Sequence, residues 1–180
     1  MCEYLYDYSA DDSSNAYTVI QKYRKLNDNC YRNMVIPMWD KGKKELADKM
    51  IQKILNFVDQ KEEFYVSTPA SNIDVFVSYL LQQVKEAFPR AIDLSSYMKK
   101  TKNIEVGLEE NRQMTEQEIE EIIEVDRDGM KSCIAETANK FVIIDDVYST
   151  GRSIRVCDKI ISNIIPNINS KYKIVILKNS

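Results

Sequence analysis

The chain has 180 residues, of which 44% are hydrophobic and 29% charged, with a net charge of −3 at pH 7. These values are typical of one globular domain, and the acidic balance argues against nucleic acid as a direct ligand. The chain contains no histidine, which excludes Ser–His and Cys–His catalysis, and its four cysteines form no C-x-x-C pair. No apolar run is long enough to span a membrane and no signal-peptide pattern is present, so we expect a cytoplasmic protein with no membrane partner.

The first half of the chain alternates helical and strand patterns. Apolar residues at helical spacing predict an amphipathic helix over residues 41–58, and Ser71 with Asp74 forms a capping-box pattern before a further helix. The expected elements are an irregular segment (1–15), a helix (16–26), a strand or apolar turn (33–37), the helix (41–58), a strand (63–67), a turn (68–71) and a helix ending near residue 88.

The second half continues the alternation after a polar, lysine-rich segment. The expected elements are a short strand (91–94), a loop (95–112), a helix that begins after the capping-box pattern of Thr115 and Glu118, a strand (141–146), a helix (152–165) and a strand (173–177). Strands that alternate with helices predict an α/β fold, a three-layer sandwich with a mainly parallel sheet.

The most informative stretch is FVIIDDVYSTGRSI, residues 141–154. Four apolar residues predict a buried strand, which the carboxylates Asp145 and Asp146 follow. A small hydroxyl-rich turn and a helix come next. Backbone N–H groups at a helix start attract phosphate, and Gly151 allows a tight turn. The carboxylates can accept hydrogen bonds from sugar hydroxyls or help to hold a divalent cation.

This stretch resembles the 5-phosphoribosyl-1-pyrophosphate (PRPP) signature of type I phosphoribosyltransferases. The resemblance implies a type I phosphoribosyltransferase-like fold and an Mg²⁺-dependent displacement of pyrophosphate from C1 of PRPP by a nitrogen nucleophile. It also implies that Asp145 and Asp146 hold the ribose hydroxyls and contact Mg²⁺ indirectly, through ribose or water. The residues that would bind the 5-phosphate of PRPP or of a nucleoside monophosphate are Ser149, Thr150, Gly151, Arg152 and Ser153.

Two further segments match the family by position. The first would bind pyrophosphate through Ser67, Thr68, Ala70 and Ser71, although a plain helix cap is an equally good interpretation. The second would be a flexible loop that closes over the site, with Lys99, Lys100 and Lys102. A solvated charged loop is the alternative for these lysines.

The order of elements is most similar to the ComF-like branch of the family over residues 40–178. It suggests an N-terminal extension or hood-like segment (1–39) before a phosphoribosyltransferase-like domain (40–180). The zinc-binding cysteine pairs of that branch are absent. Ser149 stands where enzymes for 6-oxopurines often carry an acidic residue, which argues against hypoxanthine and guanine as acceptors.

Three functions remain open from the sequence. The first is a phosphoribosyltransferase, and the second is a non-catalytic PRPP- or nucleotide-binding regulator or complex subunit on the same fold. The third is an accessory factor in nucleic-acid handling, which the acidic charge disfavours. A homodimer or a larger protein complex is compatible with each of them.

Overall fold

The computed structural model describes residues 2–7, 32–70, 75–102, 114–148 and 150–178. Within these ranges the chain forms seven strands and five helices. They are, in order, β1 (Cys2–Asp7), α1 (Arg32–Leu55), β2 (Phe64–Ser67), α2 (Val75–Ala87), β3 (Ala91–Asp93), β4 (Met98–Lys100), α3 (Glu116–Glu121), β5 (Ile123–Val125), α4 (Arg127–Ser132), β6 (Lys140–Tyr148), α5 (Arg152–Ile164) and β7 (Ser170–Lys178).

Five of the strands form one parallel sheet in the order β1-β7-β6-β2-β3. Strand β6 lies at its centre, where Ser67 of β2 pairs with Ile143 and Val175 of β7 pairs with Asp145. Strands β4 and β5 form a separate antiparallel pair.

Helices cover both faces of this sheet, because its central strands are apolar on both sides. On β6, Val142 and Ile144 pack into a core with α1 and α2. Phe141 and Ile143 point the opposite way, into a second core with α5 and with residues of α3 and α4. The predicted α/β class and parallel sheet are confirmed, and the arrangement is compatible with the predicted three-layer sandwich.

Helix α5 forms one side of the second core through residues at helical spacing. Its buried positions recur every three or four residues and are Ile154, Val156, Cys157, Ile160, Ile161 and Ile164. Because such a stripe can be buried only against another apolar surface, the helix lies against the sheet immediately after the loop that precedes it.

Several sequence-based expectations were wrong. Residues 2–7, expected to be irregular, form strand β1, which pairs with β7. Residues 33–37, expected to be a strand or turn, belong to helix α1. Pro37 favours a break there, but the helical context of residues 41–55 extends back through it and overrides that local preference. The suggested boundary between residues 39 and 40 lies inside α1, and the division into an N-terminal extension and a second domain stays a prediction.

The expected loop over residues 95–112 is also partly regular. Residues 95–97 form a 3-10 turn and residues 98–100 form β4. Met98 is buried and Lys99 exposed, an alternation too short to recognise in the sequence. The capping box of Thr115 and Glu118 is confirmed at the start of α3. The expected helix at 16–26 and the capping pattern of Ser71 and Asp74 lie outside the described residues.

Candidate functional site

The loop after β6 lies at the point where the order of the strands in the sheet reverses. From β2 the chain passes through α2 to β3, whereas from β6 it passes through α5 to β7 on the other side. Helices α2 and α5 cover opposite faces. The carboxyl ends of β2 and β6 thus flank a topological switch point, the usual place for a ligand in open parallel sheets.

The acidic pair at the end of β6 is split between the two faces of the sheet. Asp145 follows Phe141 and Ile143 on the α5 side and is half-buried, whereas Asp146 follows Val142 and Ile144 and is buried. The N–H of Asp146 donates to Oδ1 of Asp145 at 3.0 Å. Asp145 is therefore the carboxylate on the same side as the loop and α5.

The turn into α5 depends on Gly151. Its φ is 69°, in the left-handed region that residues with a Cβ rarely adopt. The N–H of Arg155 donates to the Gly151 carbonyl at 3.0 Å and so closes the first turn of the helix. Thr150, Arg152 and Ser153 are half-buried around this turn. Ser149 lies outside the described residues, so its predicted contact with phosphate stays a prediction.

Arg155, which sequence reasoning missed, contacts this loop through its side chain. Nη1 donates to the Thr150 carbonyl at 3.0 Å, and Nε donates to Oε1 of Glu116 at 2.6 Å. The position lies four residues after Gly151, on the first full turn of α5, and this helical spacing is the only sequence signal for it.

The loop after β2 is held by bonds within the protein. Ser67 is fully buried, and its hydroxyl donates to the Thr68 carbonyl at 3.0 Å. The Thr68 N–H donates to Oγ of Ser95 at 2.9 Å, a partner that the sequence did not indicate. Ala70 packs in the second core, and Ser71 lies outside the described residues. Pyrophosphate contacts from Ser67 and Thr68 would require these bonds to exchange, so they remain predictions.

Cys157, on α5, contacts the loop after β2. Its thiol donates to the Thr68 carbonyl at 3.7 Å and to Oγ of Ser67 at 3.9 Å. Burial raises the pKa of Cys157 to about 12, partly offset by the Ser67 hydrogen bond, while Asp158 and Asp145 raise it further. The thiol is thus neutral and structural, and it places the turn after β2 against the helix that begins after β6.

Two of the three lysines expected in a flexible loop lie in a strand, and the third lies after it. Lys99 and Lys100 lie on β4, where they pair with Glu124 and Ile123 of β5, and Lys102 follows the strand. This corrects the assignment of Lys99 and Lys100 to a loop, whereas Lys102 lies outside the strand. Whether they approach a ligand stays a prediction, because residues 103–113 lie outside the described residues.

An Mg²⁺ ion fits this site only as a companion of a ligand. Among the residues that the structure describes, no group of three or more His, Cys, Asp or Glu side chains converges on a metal position. Asp145 and Asp146 lie toward opposite faces of the sheet, an arrangement that does not favour chelation of one ion by both carboxylates. Since Mg²⁺ commonly retains waters and binds substrate phosphates, Asp145 would hold it together with pyrophosphate, ribose and water oxygens.

No protein-family model matches this chain, and no curated protein matches it significantly. Within the described part of the chain, no helix has the length and apolar character needed to cross a membrane.

Proposed function

We propose that the chain binds PRPP and is an Mg²⁺-dependent phosphoribosyltransferase of the type I, ComF-like kind. The observation that carries this is the position of the PRPP-like motif. Its acidic pair and its left-handed Gly151 turn lie at the carboxyl end of β6, beside the switch point of a parallel sheet. The cytoplasmic location expected from the sequence belongs to the same proposal.

The residues would divide the ligand between them. The loop of residues 149–153 would hold the 5-phosphate with backbone N–H groups and hydroxyls, and Asp145 would accept hydrogen bonds from the ribose. In the reaction a nitrogen lone pair forms the bond to C1 while the bond from C1 to oxygen breaks. Pyrophosphate leaves with the electron pair, and the nitrogen proton passes to solvent. Mg²⁺ would neutralise the growing charge on pyrophosphate.

The protein would contribute mainly position and electrostatics. With no histidine in the chain, proton transfer falls to a carboxylate, an amine, a tyrosine or the substrate itself. An activated leaving group lowers the need for a strong general acid, which suits a site built from a carboxylate and N–H donors.

The test is pyrophosphate release from PRPP and Mg²⁺ with adenine, guanine, hypoxanthine, uracil, orotate and small amines as acceptors. We expect release with at least one acceptor and little with guanine or hypoxanthine, since Ser149 cannot take a base proton near neutral pH. Efficient turnover of either 6-oxopurine would contradict the argument from Ser149.

A second candidate is a non-catalytic PRPP- or nucleotide-binding regulator or complex subunit. The loop after β2 favours it, because the Ser67 hydroxyl and the Thr68 N–H already have partners inside the protein. Such a loop offers fewer donors to pyrophosphate than a loop with the same residues and no internal hydrogen bonds. Tight PRPP binding without turnover of any acceptor would select this candidate.

A further inference from the structure

Arg155 joins the candidate phosphate loop to helix α3. Its guanidinium donates to the Thr150 carbonyl at 3.0 Å and to the Glu116 carboxylate at 2.6 Å. One turn further along both helices, Lys159 donates to Glu120 at 2.6 Å. The two ion pairs have the same length and connect the same two helices, but only Arg155 also contacts the loop.

The bond to the Thr150 carbonyl fixes the peptide that leads into Gly151. The Thr150–Gly151 peptide is trans, so the carbonyl of Thr150 and the N–H of Gly151 point in opposite directions. When Arg155 holds the carbonyl on the α3 side, the N–H is turned away from the guanidinium. Gly151, with φ at 69° and no Cβ, would otherwise allow this peptide to rotate easily.

Glu116 keeps the guanidinium in place. A lone arginine side chain loses considerable rotamer freedom when it is fixed, and its charge would attract any anion that approaches the loop. Nε is engaged by Glu116 while Nη1 bonds to Thr150, so the planar fork has two partners at a fixed angle. A lysine, with a single ammonium group, lacks this fork.

We propose that Arg155 is a positioning residue: it orients the Thr150–Gly151 peptide so that the Gly151 N–H faces the phosphate group of the ligand, and Glu116 holds it in that role. The inference rests on the proposed function, because the phosphate is that of PRPP. Within the described part of the chain, the guanidinium of Arg155 donates hydrogen bonds to the Thr150 carbonyl and to Glu116, so its effect on the ligand passes through the peptide.

The variant Arg155→Met removes both hydrogen bonds and retains most of the aliphatic side chain. Lys159→Met is its matched control. It breaks the Lys159–Glu120 pair between the same helices, and the exposed fractions are comparable, 44% and 45% for the Arg155 pair against 56% and 32% for the Lys159 pair. Both exposed pairs should contribute little to stability, so both variants should fold.

The first measurement is the ¹⁵N–¹H spectrum of the ligand-free protein. The chain has only four glycines, so the Gly151 resonance can be assigned by its disappearance in Gly151→Asn. Because a hydrogen bond to a carbonyl polarises the following N–H, we expect the Gly151 signal to shift in Arg155→Met and to stay in place in Lys159→Met. An unmoved Gly151 signal in Arg155→Met would overturn the inference.

The second measurement is calorimetric titration with PRPP and Mg²⁺. We expect the Kd to rise about tenfold in Arg155→Met, the effect of one misplaced hydrogen bond to a charged group, and to be unchanged in Lys159→Met. Equal Kd values in wild type and Arg155→Met, or equal losses in both variants, would overturn the inference and leave the proposed function standing. No binding to the wild-type protein would overturn the proposed function, and with it the role of Arg155 toward phosphate.

Discussion

At the scale of single residues, the candidate site depends on two unlike features, a carboxylate and a glycine. The sequence indicated both because they are adjacent in one motif. The sequence did not indicate that Asp145 and Asp146 lie on opposite faces of the sheet. This follows from the structure, because β6 continues to Tyr148 and successive side chains in a strand alternate between the two faces. Arg155, Ser95 and Cys157 could not be predicted, because their contacts with the loops depend on how α5 and the turn at 95–97 pack.

The first prediction concerns Gly151. Because its φ is 69°, Gly151→Val should lower the free energy of unfolding by about 1–2 kcal/mol and abolish detectable PRPP binding. Gly151→Asn should lose less stability, since asparagine tolerates the left-handed region better than β-branched residues do. Urea denaturation and calorimetry measure the two effects. Equal stability of the Val and Asn variants would contradict the argument from φ.

Gly129 on α4 supplies a control for that comparison. A Cβ there would overlap Oδ2 of Asp126 and would lie 2.7 Å from Cε1 of Tyr97. Gly129→Ala should therefore destabilise the protein by about 1–3 kcal/mol through overpacking. Its folded form should still bind PRPP like the wild type, which separates a general loss of stability from damage to the loop.

The second prediction concerns the Cys157 thiol. In the unfolded chain a thiol ionises near its ordinary pKa, but burial raises the pKa of Cys157 to about 12 in the folded protein. The folded state keeps the proton longer, so this contribution to stability is complete below pH 9 and declines as the pH rises from 9 toward 12. A variant that retains only this cysteine should react with a thiol reagent at pH 8 only on unfolding. Rapid labelling of the folded protein would contradict its burial.

At the scale of elements, α5 is held to β7 by charge as well as by its apolar stripe. Asp158 accepts hydrogen bonds from Lys171 at 2.9 Å and from Lys173 at 2.8 Å. Burial by itself would raise the pKa of Asp158, but the hydrogen bonds from Lys173 and Lys171 outweigh it and the net pKa is lowered below 3.8. This cluster therefore binds the helix that follows Gly151 to strand β7 of the central sheet.

The third prediction concerns the acid stability of this cluster. A lowered pKa means that the stabilisation is present above pH 3.8 and is lost as the pH falls through the lower folded value. Asp158→Asn should be less stable than wild type at pH 6, and the difference should shrink below pH 3.8. Urea unfolding at a series of pH values measures it. A difference that stays constant to pH 2 would show that the charge of Asp158 does not contribute.

The elements that the sequence predicted well are those with local signals. Strand β6 has a continuous run of four apolar residues, helix α5 has an apolar pattern of period 3.6, and α3 has its capping box. The elements it missed have weak local signals. Strand β4 has three residues, and the first turns of α1 contain Pro37, whose local preference the helix overrides.

At the scale of the whole molecule, the arrangement that sequence reasoning could not supply is the strand order. Strand β1, near residue 2, pairs with β7, near residue 175, so the sheet unites segments from opposite ends of the sequence. No local pattern encodes such a pairing. The switch point between β2 and β6 follows from the same order, and it places the motif found in the sequence beside a second loop.

The fourth prediction tests the pairing of β1. In an edge strand of a parallel sheet, alternate residues form backbone hydrogen bonds with the neighbouring strand. The N–H of one of the two residues Glu3 and Tyr4 therefore points toward β7, and the N–H of the other residue points away from it. Glu3→Pro and Tyr4→Pro should therefore differ in stability by about 1–3 kcal/mol, the cost of a lost and unsatisfied bond. Urea denaturation gives the values. Two variants equal to each other and to wild type would contradict the pairing.

The central claim, that PRPP binds at the carboxyl end of β6, is tested most directly by calorimetric titration of PRPP with Mg²⁺ into the wild type, an Asp145→Asn/Asp146→Asn variant and an Asp158→Asn control. Asp158 is a partly buried carboxylate like Asp145, but it lies on α5 and its partners are Lys171 and Lys173. The account predicts binding by the wild type and the control, and a loss of at least about thirtyfold in the double variant. Unchanged affinity in the double variant would contradict it.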